Sequence, residues 1–236
     1  MAGIVQIENV GLRFGTGAEA LSDLSLTLAR GSFHFLVGPS GAGKTSLLRL
    51  IGGGVRPSRG IVRLFGEDLA GVPRARLPAL RRRLGMVHQD AVLVPGLTSF
   101  DNIALPLRIA GLDEAQISAQ VSEMLDWVGL ATRAAARPEA LSAGERQRVG
   151  IARAVIGRPE LILADEPTGN VDAELAARLI HLLDALHRAG TTVVVATHDL
   201  SLIGRVRDAG LIRLARGRLD DPVGTLRHPA ARLATA

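Results

Sequence analysis

The chain has no cysteine, no tyrosine, one tryptophan and five phenylalanines in 236 residues, and of its 28 basic residues only Lys44 is a lysine, the other 27 being arginines. The missing cysteines exclude disulfides and thiolate metal sites and agree with a cytoplasmic setting. Scarce aromatic rings leave few platforms on which bases can stack. A net charge of +5 and a pI near 11.1 point by themselves towards nucleic acid or an anionic membrane face. The arginines are mostly scattered, however, and no nucleic-acid partner is expected. Long hydrophobic runs are lacking too: no stretch approaches the roughly 18 apolar residues of a membrane span, and the start Met1–Ile7 shows no charged-then-apolar leader. The expectation is a soluble chain, long enough to bury the core of one α/β domain with an inserted subdomain.

What is present centres on one stretch. Phe33-His34-Phe35-Leu36-Val37 runs into Gly38-Pro39-Ser40-Gly41-Ala42-Gly43-Lys44-Thr45, with Ser46-Leu47-Leu48-Arg49-Leu50 behind it, and reads as strand, loop, helix. The loop satisfies the phosphate-binding pattern G-x-x-x-x-G-K-[ST] at Gly38, Gly43, Lys44 and Thr45. Its glycines let successive N–H groups turn inward around an anion, and the helix start adds its positive end to the same spot. Lys44 supplies a point charge for the outer phosphates, and the Thr45 hydroxyl can hold Mg²⁺. That the one lysine stands here is a second signal. A compact ammonium is kept where a phosphate must be held, while arginine serves elsewhere.

Around this centre the chain reads as follows. Residues 4–10 form a strand, 11–15 a loop, and Leu24–Leu28 alternates as a second strand. Gly52-Gly53-Gly54 ends the helix behind the loop, and Ile61–Leu64 is a short strand. Arg74 to Arg83 reads as a short helix whose arginines either face water or meet lipid or a partner. Gly85–Val87 is a buried strand ending in His88, Gln89 and Asp90. Residues 90–158 show no β pattern: a helix broken at Pro106, a helix capped by Asp113, a polar connector from Arg133 to Ala140, and a helix opened by Ser142. The β/α alternation resumes with the apolar run Leu161–Ala164, a helix capped by Asp172, a strand over Thr191–Ala196, a short helix over Leu200–Val206 and a strand over Gly210–Leu214. Residues 221–236 read as a weakly structured tail. A single domain is expected, with core segments 1–89 and 159–220 and a helical subdomain at 90–158.

Several of these elements end in chemistry. Leu161–Ala164 delivers Asp165 and Glu166 at its carboxyl end, where open α/β sheets place ligands. Beside a phosphate loop, Asp165 can hold the Mg²⁺ hydration shell and Glu166 can take a proton from attacking water. His198 is either a structural residue or a donor to a γ-phosphate; Gln89 is either a polar strand cap or a side chain that reaches Mg²⁺ and water. Phe14 is a core plug or a base-stacking ring. Leu141-Ser142-Ala143-Gly144-Glu145 contains the capping box S-x-x-E, and the same helix start can bind phosphate. The loop at residues 38–45 already serves the nucleotide of its own chain. A second phosphate-binding helix start therefore suits the nucleotide of another copy.

Taken in order, these segments resemble the ATP-binding subunits of ABC transporters over about residues 4–218: the aromatic loop at Phe14, the P-loop at Gly38–Thr45 with Ser46, the Q-loop at Gln89, the signature at Leu141–Glu145, the acidic strand ending in Asp165 and Glu166, the D-loop Gly169-Asn170-Val171-Asp172 and the switch residue His198. The resemblance implies a P-loop (RecA-like) α/β core with a mainly parallel sheet, an N-terminal antiparallel portion and an inserted helical subdomain. It implies Mg²⁺-dependent ATP hydrolysis with Lys44, Gln89, Glu166 and His198 catalytic and with Thr45, Gln89 and Asp165 at the metal. It also implies a head-to-tail homodimer whose ATP contacts include Ser142, Ala143, Gly144 and Glu145 of the second copy, and an integral membrane permease docked near Gln89 to Leu97. The expected place is the cytoplasmic face of the inner membrane. Asp165-Glu166-Pro167-Thr168-Gly169-Asn170-Val171-Asp172 is similar to the branch that serves lipoprotein release, macrolide export and cell division, with the cell-division members most similar. Ala143 departs from the family, which has glycine there.

Overall fold

The computed structural model describes residues 3–169, 171 and 173–220. In chain order it contains β1 (Val5–Arg13), β2 (Glu19–Leu28), β3 (Phe33–Val37), α1 (Lys44–Ile51), β4 (Arg59–Leu64), β5 (Glu67–Asp68), α2 (Leu77–Arg81), β6 (Leu84–Val87), α3 (Ser99–Ala110), α4 (Glu114–Trp127), α5 (Ala143–Ile156), β7 (Leu161–Asp165), α6 (Ala173–Arg188), β8 (Thr192–Ala196), β9 (Gly210–Ala215) and β10 (Arg218–Leu219). Two sheets result. The first is antiparallel in the order β2-β1-β4-β5; the second runs β10-β9-β3-β8-β7-β6, parallel from β9 to β6 with β10 antiparallel at the edge.

The two sheets differ because their sequences differ. Every residue of β3, β7 and β8 is buried, as continuous apolar runs require when a strand is covered on both faces. The second half of β2 alternates buried and exposed, as a strand with one wet face does. One core lies between the sheets and around α1, with Ile7, Leu26, Leu47 and Leu163 among its members. A second covers the opposite face of the parallel sheet with Val155, Leu179 and Leu183. The helical residues between β6 and β7 build a third core of their own around Ile103, Val121, Leu125 and Val149.

Four local expectations are corrected. Residues 11–13 continue β1 instead of forming a loop, because Leu12 is 2% exposed in the core opposite Leu21. Pro106 does not break its helix: α3 runs through it, clamped by the Thr98 Oγ1 acceptor for Asp101 N–H (3.0 Å) at one end and the left-handed Gly111 at the other. The arginine-rich helix is only five residues long, α2. The segment after β8 is a 3₁₀ turn over Leu200–Arg205, held by the Asp199 carboxylate accepting from Ser201 N–H at 2.9 Å. β5 and β10 are two-residue additions with no run long enough to read in sequence. The expected cap at Asp172, Asn170 of the D-loop and the tail at 221–236 lie outside the described residues.

Candidate functional site

Because β3, β6, β7 and β8 are parallel neighbours in one sheet, their carboxyl ends share an edge. The segments that follow them meet there. They form a cleft of about 640 Å³ whose walls include Ser40 to Ser46, Gln89, Asp165, Glu166 and His198. The P-loop turns because its glycines cannot be replaced: a Cβ on Gly38 would lie 2.1 Å from the Leu214 carbonyl oxygen, and Gly43, at φ +103°, caps α1 in a left-handed conformation.

Within the cleft Lys44 is 9% exposed and donates through Nζ to the carbonyls of Gly38 (2.8 Å) and Pro39 (3.4 Å), with Glu166 Oε1 at 3.9 Å. Asp165 is buried at the end of β7, and burial pushes its carboxyl above the usual range while the adjacent Thr45 hydroxyl opposes this. Its Oδ1 is buried without a partner among the described residues. A hydroxyl and an orphaned carboxylate oxygen side by side are hard oxygen donors of the kind Mg²⁺ selects, so the residues fit that ion. Glu166 follows with a left-handed backbone, φ +45°, its N–H donating to the Ala196 carbonyl at 2.9 Å. This turns the carboxylate into the cleft, where Oε2 accepts from His198 Nδ1–H at 2.9 Å and from the His198 backbone N–H at 3.4 Å. A cation, a buried acid, a second acid and an imidazole are thus held around one cleft.

Two of the expected site segments lie elsewhere. Phe14 is 47% exposed just past β1, so it is not a core plug, and it does not line the cleft. Ser142–Glu145 starts α5, also off the cleft of its own chain. There the capping box is complete: Ser142 Oγ accepts from Glu145 N–H (3.2 Å) and Glu145 Oε2 accepts from Ser142 N–H (2.8 Å). Arg133 braces Glu145 at 3.0 Å, and hydrogen bonding to Ser142 holds the Glu145 carboxyl below the usual range. The box therefore fixes a helix start whose Ser142 and Ala143 face solvent. Gly169, named with the D-loop, lines the cleft; sequence reasoning missed Ala20, which lines it too, and Gln147, a 1%-exposed residue of α5 that donates to the His88 carbonyl next to Gln89. Neither Ala20 nor Gln147 belongs to a pattern that a single sequence exposes.

A phosphate loop, an acid pair at the end of the strand one place beyond its neighbour, and a helical insert with a capped helix start define an ATP-binding cassette, and the chain belongs to the ABC transporter family, whose profile matches residues 21–169. A dimeric ATP-binding cassette solved in a post-hydrolysis state bound to ADP and Pi superposes with a TM-score of 0.85 at 32% identity, covering 92% of this chain and 96% of that one.

Among characterised proteins, the chain is similar to the cell division ATP-binding protein FtsE. It is 43% identical to FtsE of Escherichia coli K12 over 221 residues, covering 94% of this chain and 99% of the relative. It is 37% identical to FtsE of Bacillus subtilis over 204 residues, covering 86% and 90%.

Proposed function

We propose that the chain binds and hydrolyses ATP as the cytoplasmic-face subunit of a membrane complex, acting as an FtsE with an FtsX-like permease in cell division and the control of cell-wall hydrolysis at the septum. The observation that carries the reading is the convergence of Lys44, Asp165, Glu166 and His198 at the ends of three adjacent parallel strands. Identity of 43% to an FtsE supports the finer assignment.

In this mechanism the backbone N–H groups along Gly38 to Ser46, Pro39 having none, and the Lys44 ammonium bind the β- and γ-phosphates of ATP, and Phe14 stacks on the adenine. Thr45, Gln89 and Asp165 would hold Mg²⁺, which when bound neutralises charge on the phosphate oxygens. Glu166 takes a proton from the attacking water, a contribution of about 10²–10⁴ in rate. His198 orients Glu166 and, with Gln89, senses the γ-phosphate. Ser142, Ala143, Gly144 and Glu145 close over the nucleotide of a second copy, in a head-to-tail homodimer. Residues 1–89 and 159–220 serve as the nucleotide-binding core and 90–158 as the arm that presents the helix start, within a single domain. The permease docks where core and arm meet near Gln89 to Leu97, where Val92 and Val94 are 66% and 40% exposed.

The test is a pull-down from membranes in Mg-ATP with Glu166→Gln. That variant should bind ATP, stop turning it over, accumulate as a closed dimer and retain the FtsX-like permease. Unchanged turnover would remove Glu166 from its role. A monomer under these conditions would refute the two-copy site, and capture of a lipoprotein-release or macrolide-export permease would overturn the FtsE assignment while leaving the ATPase.

A further inference from the structure

The segment that carries Gln89, residues 88–98 between β6 and α3, has no regular structure of its own. Its backbone is stitched instead to the helical insert. Gln147 Nε2 on α5 donates to the His88 carbonyl (3.1 Å), and Arg153 on α5 donates to the Val92 carbonyl (2.6 Å). Asn102 on α3 accepts from Val94 N–H (2.8 Å) and donates to the carbonyls of Val94 (3.3 Å) and Leu97 (3.2 Å). Arg153 also reaches Asn102 Oδ1 at 3.4 Å, tying the two helices together.

The α5 contacts form one stripe. Gln147, Gly150 and Arg153 are three residues apart and share a helix face. Gly150 allows the loop its close approach, since a Cβ there would lie 3.3 Å from the Cβ of Ala91. Gln147 is 1% exposed, and its Oε1 is buried with no partner among the described residues. A buried amide whose oxygen goes unpaired is a costly way to fill space. Its single donated bond goes to the residue immediately before Gln89. The same helix begins at the capped start Ser142–Glu145, less than two turns away.

We propose that Gln147 is a positioning residue, the buried strut through which α5 sets Gln89 in the ATP cleft, so that the place of Gln89 and the place of the Ser142 helix start are fixed by one rigid element. It acts through the His88 backbone and touches neither nucleotide nor water. Arg153 and Asn102 hold the remainder of the loop to the same body. The inference rests on the ATPase reading above and adds to it the element that carries Gln89.

Gln147→Met tests it, because methionine keeps the length, removes the donor and removes the orphaned oxygen, and so should leave the thermal midpoint nearly unchanged. The expected result is a fall in kcat of about ten- to a hundredfold from misplacement of Gln89, with the KM for ATP unchanged because the P-loop is untouched. Gln147→Glu, whose buried and protonated carboxyl can donate to the His88 carbonyl, should recover most of the rate. In a Gln89→Ala background Gln147→Met should cost nothing more. Equal losses with and without Gln89, or a loss confined to KM, would overturn the proposal. Wild-type protein that turns over no ATP would refute the ATPase reading instead. The strut would then be judged by amide hydrogen exchange over residues 88–94, which must speed up in Gln147→Met; no change there overturns it.

Discussion

A histidine in the strand that delivers the P-loop sets a measurable pH limit on stability. His34 is 6% exposed in β3, opposite Gly210 of β9. Ser32 Oγ donates its hydrogen to the Ala29 carbonyl (2.7 Å) and so must accept from His34 Nε2–H at 2.8 Å. The neutral ring therefore keeps its lone pair on Nδ1, which is buried without a partner among the described residues and lies over Gly210, where a Cβ would come within 2.4 Å of it. A proton on Nδ1 would have no acceptor among the described residues. Burial, with repulsion from His187 on α6 as the smaller cause, lowers the His34 pKa from 6.5 to about 4. The sign follows directly. Between those values the unfolded chain binds a proton that the folded chain refuses, so stability is unaffected above pH 6.5, falls as pH drops below it, and has lost the full amount by pH 4. The difference corresponds to about 3 kcal/mol at roughly 1.4 kcal/mol per pH unit, a large share of a typical domain's stability. Urea unfolding at several pH values between 7.5 and 4.5, compared with His34→Leu, isolates the effect from the carboxylates, which titrate in both proteins. Leucine fills the apolar site, and Ser32 keeps its bond to Ala29. The variant should lose less stability on acidification, by about 2–3 kcal/mol at the low end. Parallel curves for the two proteins would refute the assignment of a buried, neutral His34.

Two further tests address the site and the fold. Phe14→Ala should weaken ATP binding about fivefold, as expected for about 1 kcal/mol of ring stacking, without moving the thermal midpoint, since the ring is already 47% exposed; calorimetric titration with ATP checks it. Gly85→Ala should destabilise by about 2–3 kcal/mol and lower the Tm by roughly 5–10 °C, because its Cβ would sit 2.2 Å from the Ala154 carbonyl; a thermal melt reads it.

Where sequence reasoning succeeded, the physics was local. The P-loop declares itself because glycine, lysine and threonine are needed at fixed spacing. Asp165 and Glu166 stand out because an apolar run that ends in two acids has little structural reason to do so. Ser142 and Glu145 announce a helix start because both capping bonds join residues three apart. The failures depend on partners distant in the chain. Nothing near Leu12 says that Leu21 will pair with it and continue β1, and Pro106 looks like a breaker until the clamps at both ends of α3 are seen. Gln147 reads as another polar residue of a polar helix. Only the fold brings it to the His88 carbonyl, 59 positions away. His34 likewise passes for a strand residue until Gly210 closes over its ring.

The lone ε-amine of the chain is Lys44, sunk to 9% exposure against the Gly38 and Pro39 carbonyls. Apart from the α-amino group, amine-directed acylation and carbamylation then find a single lysine, one that a triphosphate bound as proposed would cover. The guanidinium groups of the arginine coat stay protonated and resist amine acylation. On the proposed reading, an acyl or carbamyl mark on Lys44 is therefore also a report on whether the nucleotide seat is vacant.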